Sequence, residues 1–347
     1  MHRHLRHHPL TVSVLTLATL LPLTAAAHAA PPRSTDRAQV AGQVRSSTHP
    51  GIHTAYRLPG DRAYPEGIAR DPRTGDVYVG SFGTGAVYRI TPGHPAAKVY
   101  LGAGADGRNT ANGLKVDRAG RLWVIDSTAG VAVYDLRTRA LLARFDVPGS
   151  DASFVNDLAI APDGSAYLTD SSRAVVYRVT PRQLASAEAH DGRATLTVGF
   201  DLAGALAPHA PDAYTLNGIV SDPSGRYLLT ADSTGGDLYR LDLRSGAIAR
   251  VDLQGGSMPL ADGLELRRKT LWVAHNTGNA ISRWRISADG TRAHRERQIT
   301  DAALQVPTTL VHQGGRLLVV RSQFDKGGPL GQGTPQPPFT VAAVNGI

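Results

Sequence analysis

The chain has 347 residues, with 37 lysines and arginines against 29 acidic residues, a formal net charge of +8 and no cysteine. The lack of cysteine excludes a disulfide framework, so the fold must be stabilised by burial. The basic residues are scattered, with no run of five or six, which argues against nucleic acid as a partner.

The N-terminal segment 1–29 has the pattern of a cleavable export signal. Basic residues start the chain, an apolar run follows over residues 11–23, and Ala-His-Ala at 27–29 is a small-x-small cleavage site. This run is shorter than the roughly 20 residues that a membrane span takes. We therefore expect a secreted or extracytoplasmic protein without a membrane span, with an uncleaved anchor as the alternative. Residues 30–52, rich in Pro, Ser, Thr and Gln, are predicted to be a flexible linker.

A sequence repeat occupies the rest of the chain. Its six copies begin at Pro65, Ala111, Val155, Leu216, Ala261 and Pro307. Successive copies are spaced by 46, 44, 61, 45 and 46 residues, so one linker carries an insertion, within 181–213. Each copy alternates β-forming residues with Gly, Asp and Ser turns, and none has a helical period. Four-stranded units of this length, repeated radially, are typical of a β-propeller.

The predicted fold class is therefore all-β, a six-bladed β-propeller of four-stranded antiparallel blades over residues 53–347. Each end of the repeat array leaves one strand without a partner, in residues 54–60 and residues 339–347. We predict that these segments pair as the fourth and third strands of the last blade and so close the ring. Residues 327–338, rich in Gly, Pro and Gln, form a long loop in this blade, either a lid over the rim or an ordinary surface loop.

The second residue of each copy opens the innermost strand, so six side chains are predicted to surround the central channel at one rim. All six offer an oxygen ligand, and no histidine or cysteine is among them: Glu66, Asn112, Asn156, Asn217, Asp262 and Thr308. Two carboxylates in a narrow channel repel unless a cation lies between them. We expect one divalent metal, with Ca²⁺ favoured by an irregular oxygen ring and Zn²⁺, Mg²⁺ and Mn²⁺ as alternatives. Such residues before Gly also cap turns, so a ring without a metal remains open.

The order Glu-Gly, Asn-Asp, Asn-Gly and Asp-Gly on inner strands one, three, four and five resembles the senescence marker protein/gluconolactonase family of six-bladed propellers, with paraoxonases as more distant relatives. The resemblance covers residues 53–347. It implies a metal at the channel mouth, with Asp262 also the general base in lactone hydrolysis; the metal ligands are Glu66, Asn156, Asn217 and Asp262. Asn112 stands in blade two, where paraoxonases place a functional histidine, and is expected to contact substrate instead.

The resemblance also has a departure that bears on the substrate. Sugar-lactone members of the family carry an arginine two residues before the blade-three asparagine, and this chain has Phe154 there. We therefore expect Phe154 to contact a less polar lactone or ester.

The ends of the second strands return to the same rim and are also expected near the metal: Ser81, Asp126, Asp170, Asp232, His275 and Arg321. The three aspartates precede serine and can simply cap turns. His275 and Arg321 lack that explanation and are the better substrate-binding candidates. His275 is also a candidate acid–base helper, or a histidine that is merely hydrogen-bonded.

The sequence supports two functions. In the first, a monomeric metal-dependent hydrolase acts on a small-molecule lactone or related ester, with the carbonyl polarised by the cation and Asp262 as general base. In the second, the propeller is a non-catalytic secreted binding protein with a structural metal or none. The sequence contains no Gly-x-Ser-x-Gly, His-Glu-x-x-His or phosphate-loop motif, so serine-hydrolase, zinc-protease and nucleotide chemistry lack support.

Overall fold

The computed structural model describes residues 51–347. The predicted export signal (1–29) and most of the predicted linker (30–52) therefore lie outside the described residues. Within residues 51–347, no helix is long and apolar enough to cross a membrane.

Six blades, each with four antiparallel strands, follow one another along the chain. Strand β1 (Ile52–Arg57) precedes them. Blade one contains β2 (Pro65–Arg70), β3 (Val77–Ser81), β4 (Val87–Ile90) and β5 (Lys98–Leu101). Blade two contains β6 (Leu114–Val116), β7 (Arg121–Asp126), β8 (Gly130–Asp135) and β9 (Leu141–Asp146). Blade three contains β10 (Val155–Ile160), β11 (Ala166–Asp170), β12 (Val175–Val179) and β14 (Thr197–Asp201). Helix α1 (Pro181–Glu188) and β13 (Arg193–Thr195) lie between β12 and β14 in the chain.

The second half of the ring repeats this plan. Blade four contains β15 (Leu216–Ser221), β16 (Tyr227–Asp232), β17 (Asp237–Asp242) and β18 (Ile248–Arg250), and β19 (Asp252–Gln254) follows it. Blade five contains β20 (Ala261–Arg267), β21 (Thr270–His275), β22 (Ala280–Ile286) and β23 (Arg292–Thr300). Blade six contains β24 (Pro307–Gln313), β25 (Arg316–Arg321) and β26 (Thr340–Val344). The predicted six-bladed β-propeller is confirmed.

The ring is closed by strands from both ends of the propeller. Blade six has the strand order β1-β26-β25-β24, with β1 antiparallel to β26. The pairing runs from Ile52 opposite Val344 to Arg57 opposite Thr340. The predicted closure is confirmed, although the first strand begins at Ile52 rather than within 54–60.

Two blades are larger than the repeat predicts. Strand β13 pairs parallel with β9 of blade two, and β19 pairs parallel with β23 of blade five, so both sheets have five strands. The predicted insertion 181–213 holds α1, the only α-helix within residues 51–347. Thr180 begins this helix with a capping box to Gln183, and Pro181 occupies the first turn.

The core is divided among the interfaces between neighbouring blades. One tyrosine at the same place in the third strand of four blades is almost wholly buried, with exposed fractions of 4% or less: Tyr88, Tyr134, Tyr177 and Tyr239. The side chains on both faces of each blade therefore support its neighbours, and the inner strands are held around a common axis.

Candidate functional site

A β-bulge at the start of the inner strands directs the channel side chains inward. These side chains are called the ring residues here: Glu66, Asn112, Asn156, Asn217, Asp262 and Thr308. In blade four the register of β15 against β16 shifts between Leu216 and Ile219, so that Asn217 and Gly218 together oppose one residue. Blades one, three, five and six have the same shift at the ring residue. The bulge therefore recurs where each of these copies must turn a polar side chain toward the axis.

Glycine follows the ring residue in four copies because the next blade leaves no room for a side chain. A Cβ atom on Gly218 would lie 2.2 Å from the carbonyl oxygen of Asp262, and one on Gly67 would lie 2.3 Å from that of Asn112. Real Cβ atoms do not approach so closely. Neighbouring ring residues are therefore fixed by direct contact between consecutive inner strands.

The ring concentrates buried oxygen atoms that have no hydrogen-bond partner. Within residues 51–347, seven buried side-chain polar atoms lack a partner, and four belong to the ring: Glu66 Oε2, Asn112 Oδ1, Asn156 Oδ1 and Asn217 Oδ1. An unsatisfied buried acceptor costs about 1–3 kcal/mol, and native proteins contain few of them. Four such oxygens in one ring are the arrangement expected of ligands for a hard cation.

Hydrogen bonds to second-strand residues set the orientation of the ring groups. Asn156 Nδ2 donates to Ser171 Oγ at 3.0 Å, which leaves Asn156 Oδ1 free for the channel. Ser171 Oγ in turn donates to the carbonyl oxygen of Leu216. Asp262 Oδ2 accepts from Asn276 Nδ2 at 3.2 Å, so the other carboxylate oxygen is available to a ligand.

Two further positions in the inner strands do not offer a free oxygen. The hydroxyl of Thr308 donates to the carbonyl oxygen of Glu66 at 2.7 Å, which uses its proton to join blades six and one. Asp157, which takes the place of glycine in blade three, is paired with Lys115 Nζ at 3.2 Å. Sequence reasoning missed this third buried carboxylate, although its position next to Asn156 in the repeat was a signal for it.

The charged forms of the two ring carboxyl groups, Glu66 and Asp262, are disfavoured by burial and by neighbouring carboxylates. Burial raises the pKa of Glu66 well above its ordinary value; Asp262 and Asp157 raise it further, and Lys115 opposes them. Burial likewise raises the pKa of Asp262 to about 8. Within residues 51–347, no cluster of three or more His, Cys, Asp or Glu side chains is placed to hold a metal. A cation held here would therefore bind two carboxylates together with asparagine oxygens, and its charge would reverse the effect on both pKa values.

A cavity of about 220 Å³ opens over the ring. Five ring residues line it, and Thr308 is absent from its lining: Glu66, Asn112, Asn156, Asn217 and Asp262. Six apolar side chains complete much of its surface and are called the apolar wall here: Phe82, Phe154, Tyr214, Phe324, Pro329 and Leu330. The predicted metal ligands, Asn112 and Phe154 are thus brought together around one cavity. Larger clefts, of about 450 and 760 Å³, lie on the outside of blades three and four and contain no ring residue.

His275 is not among the residues that line this cavity. Its Nδ1 lies 2.8 Å from the carbonyl oxygen of Pro259, and its Nε2 lies 2.7 Å from Ser282 Oγ. Since a carbonyl oxygen only accepts, Nδ1 carries the proton and Nε2 accepts from the serine hydroxyl. Burial lowers the pKa of His275, which favours the neutral imidazole. The histidine is hydrogen-bonded within blade five, and substrate contact is not supported.

Arg321 is also outside the cavity. Its guanidinium donates to Thr54 Oγ1 of β1 at 2.8 Å and to Thr340 Oγ1 of β26 at 3.4 Å, so it joins the two closing strands. The reason is strand alternation. Arg321 pairs with Pro307, the residue before the ring position, and its side chain therefore points away from the ring.

The residue after the end of the second strand is the one that faces the ring. Four cavity-lining residues occupy this position: Phe82, Ser171, Ser233 and Asn276. Asp170, one position earlier, accepts from the backbone N–H groups of Ser172 and Arg173 and caps a turn. The period of two along a strand was a sequence signal that could have identified the correct position.

Comparison with known proteins places the chain in a family. Residues 65–316 match the family model described as the SMP-30/Gluconolactonase/LRE-like region. No curated protein sequence matches the chain.

Three solved structures show the same fold at low identity. The calcium-binding protein regucalcin from Agrobacterium tumefaciens is 17% identical, with 85% of this chain and 98% of that chain covered and a TM-score of 0.57. A gluconolactonase from Xanthomonas campestris is 17% identical, with coverages of 84% and 88% and a TM-score of 0.56. A luciferin-regenerating enzyme is 13% identical, with coverages of 86% and 96% and a TM-score of 0.59. At these identities the likeness extends to the fold alone. Because the family model spans more than two thirds of the sequence, the chain belongs to the SMP-30/gluconolactonase/LRE-like family.

Proposed function

We propose that this protein is a metal-dependent hydrolase of a lactone or related ester. The observation that carries the proposal is the set of buried ring oxygens without a hydrogen-bond partner, around a cavity that also contains two carboxyl groups. A purely structural ring would leave these oxygens desolvated at a cost of about 1–3 kcal/mol each. A ligand that accepts their lone pairs removes that cost.

The donor set fits a hard divalent cation, and Ca²⁺ fits best. Glu66, Asn156, Asn217 and Asp262 would hold the ion with oxygen atoms, and Ca²⁺ takes about 6–8 such ligands. The four side chains therefore leave positions for water and for the oxygen of a substrate carbonyl. A divalent cation bound in this way polarises a carbonyl and makes bound water more acidic.

Asp262 is the residue that accepts a proton from the attacking water. Asn276 Nδ2 donates to Asp262 Oδ2 and keeps the carboxylate in one orientation relative to the cavity. Asn276 is itself fixed because its Oδ1 accepts from Thr277 N and Oγ1. A carboxylate held so rigidly at the cavity can accept the proton of an attacking water, and no serine or cysteine nucleophile is needed.

The family supports the proposal. One solved relative of the same fold is named a gluconolactonase and another a calcium-binding protein. We also propose that residues 1–29 direct export and are removed, as their sequence pattern indicates.

Two carboxyl variants test the proposal, because they separate metal binding from proton transfer. Glu66→Gln should weaken Ca²⁺ binding, and excess Ca²⁺ should restore part of the hydrolysis of a lactone and ester panel. Asp262→Asn should lose turnover even when the metal site is saturated, since an amide does not accept the proton. Glu296→Gln serves as the matched control, because it removes a carboxylate on β23 that pairs with Arg283 and Arg285 and does not line the cavity.

Calorimetry on metal-stripped protein decides between the alternatives. Failure to bind Ca²⁺, Mg²⁺, Mn²⁺ and Zn²⁺ contradicts both the metal site and the hydrolase. Metal binding without hydrolysis of any lactone or ester would instead identify a non-catalytic binding propeller.

A further inference from the structure

The apolar wall is built by loops from four blades that meet over the ring. Phe82 follows β3, Phe154 precedes β10, Tyr214 precedes β15 and Phe324 follows β25. Their rings form a continuous arc, with centroid separations of 5.3 Å between Phe82 and Phe324, 6.4 Å between Phe82 and Phe154, and 5.1 Å between Phe154 and Tyr214. Aromatic pairs at such distances stabilise each other, so the arc is a preformed surface.

The loop between β25 and β26 is likewise held in place over the cavity. The side chain of Gln323 joins the two ends of this loop. Its Nε2 donates to the carbonyl oxygen of Gln336 at 3.1 Å, and its Oε1 accepts from Gln336 N at 2.8 Å. The hydroxyl of Tyr64 donates to the carbonyl oxygen of Lys326 at 3.0 Å. These contacts position Leu330, whose side chain lines the cavity yet is 50% exposed.

Leu330 and Tyr214 are exposed apolar groups at the mouth of one cavity. Tyr214 is 57% exposed, and only six large hydrophobic residues within 51–347 are exposed, with fractions from 38% to 57%. Two of the six thus flank the same opening. Apolar surface that the fold leaves uncovered beside a polar ring gains free energy when a ligand covers it.

Outside the proposed ligand quartet, only two polar side chains of the cavity, those of Asn112 and Ser233, keep groups free for substrate hydroxyl groups. Ser171 Oγ accepts from Asn156 Nδ2 and donates to the carbonyl oxygen of Leu216. Thr215 Oγ1 donates to the carbonyl oxygen of Ser171. The side chain of Asn276 donates to Asp262 and accepts from Thr277. No lysine, arginine or histidine lines the cavity. A polyhydroxylated ligand would lose its hydrogen bonds to water here and would regain few of them.

We infer that the substrate is a compact lactone or ester whose remaining part is an apolar alkyl or aryl group, packed against the apolar wall. This inference rests on the proposed function and adds the substrate class. The cavity volume of about 220 Å³ accommodates a small lactone ring with a short substituent. Leu330 and Tyr214 are the specificity-determining residues at its mouth.

Two δ-lactones with the same six-membered ring test the inference on the metal-loaded protein. δ-Octalactone carries a propyl group, and glucono-δ-lactone carries hydroxyl groups. Each buried methylene is worth about a fourfold change, so kcat/KM for δ-octalactone should exceed that for glucono-δ-lactone by at least about tenfold. Leu330→Ala should lower kcat/KM for δ-octalactone about fivefold and affect glucono-δ-lactone less, so that the ratio of the two kcat/KM values falls. Val198→Ala, which truncates a residue 49% exposed on the outer strand of blade three, is the matched control and should change neither.

The outcomes separate this inference from the proposed function. Equal or greater activity on glucono-δ-lactone overturns the inference and leaves the hydrolase intact. If neither lactone is hydrolysed, the hydrolase assignment for these substrates fails, and calorimetric binding of the two corresponding δ-lactams decides the inference. Tighter binding of the propyl lactam supports an apolar ligand, and equal or tighter binding of the polyhydroxylated lactam contradicts it.

Discussion

Removal of divalent metal should lower the thermal stability of this propeller, and Ca²⁺ should restore it. Three of the four proposed ligands, Glu66, Asn156 and Asn217, each contribute a buried oxygen without a partner. At about 1–3 kcal/mol each, the metal-free ring carries roughly 3–9 kcal/mol of unfavourable free energy. That is comparable with the roughly 5–15 kcal/mol by which natural domains are stable.

The size of the expected shift follows from linkage. At a free Ca²⁺ concentration of about 100 times Kd, binding adds about 2.7 kcal/mol to the free energy of unfolding. The unfolding entropy is about 2.1 cal/mol/K per residue, or about 0.6 kcal/mol/K for about 300 residues. The midpoint of thermal unfolding should therefore rise by about 4 °C.

The assay is differential scanning calorimetry of EDTA-treated protein titrated with CaCl₂. Asn217→Ala should abolish the Ca²⁺-dependent shift, because it removes one proposed ligand. Asn112→Ala, a ring residue outside the ligand quartet, should retain it. A midpoint that does not respond to Ca²⁺, Mg²⁺, Mn²⁺ or Zn²⁺ would refute the reasoning, and so would an unchanged shift in Asn217→Ala.

Three further predictions concern closure, specificity and pH. Deletion of 340–347 should lower the thermal midpoint, because it removes β26 and leaves the edges of β1 and β25 unpaired; an unchanged midpoint would rule out this closure. Phe154→Arg should raise the rate ratio of glucono-δ-lactone over δ-octalactone, and an unaltered ratio in a folded variant would show that Phe154 does not contact substrate. Because the pKa of His275 is lowered by burial, the stability from its neutral form is fully present above about pH 6.5 and is lost as the pH falls toward the folded-state pKa. His275→Gln should flatten this acid limb in midpoint-versus-pH scans, and an equal slope in both proteins would contradict the assignment.

Sequence alone predicted those parts of the molecule that repeat. The six copies keep phase at the inner strand and at the buried tyrosine of the third strand, so blade number and ring composition could be predicted. Closure followed because the array left one unpaired segment at each end. The parallel strands β13 and β19 were missed because they come from linkers that have no counterpart in other copies.

The cavity was less predictable than the ring beneath it. His275 and Arg321 were predicted to contact substrate, and the structure places both outside the cavity lining. Repeat spacing gives the position along a strand but not the direction of the side chain. The bulge adds a residue to the inner strand, and the position facing the ring proved to be that of Asn276. Tyr214 and Leu330 lie in loops without a repeated pattern and could not be predicted. Phe82 occupies the repeated position after the second strand, and Phe154 was predicted through its distance from Asn156.

The pairing of β1 with β26 sets an order of events during synthesis of the chain. β1 leaves the ribosome near the start of the propeller, but its partner is the last strand to be made. The four antiparallel strands of each of blades one to five come from contiguous sequence, whereas blade six must wait until residue 344 has been translated. Until then the edge of β25 is unpaired and open to other chains. The ring of blades is therefore closed only after β26 has been made, and the pairing with the longest sequence separation in the propeller is also the last to form.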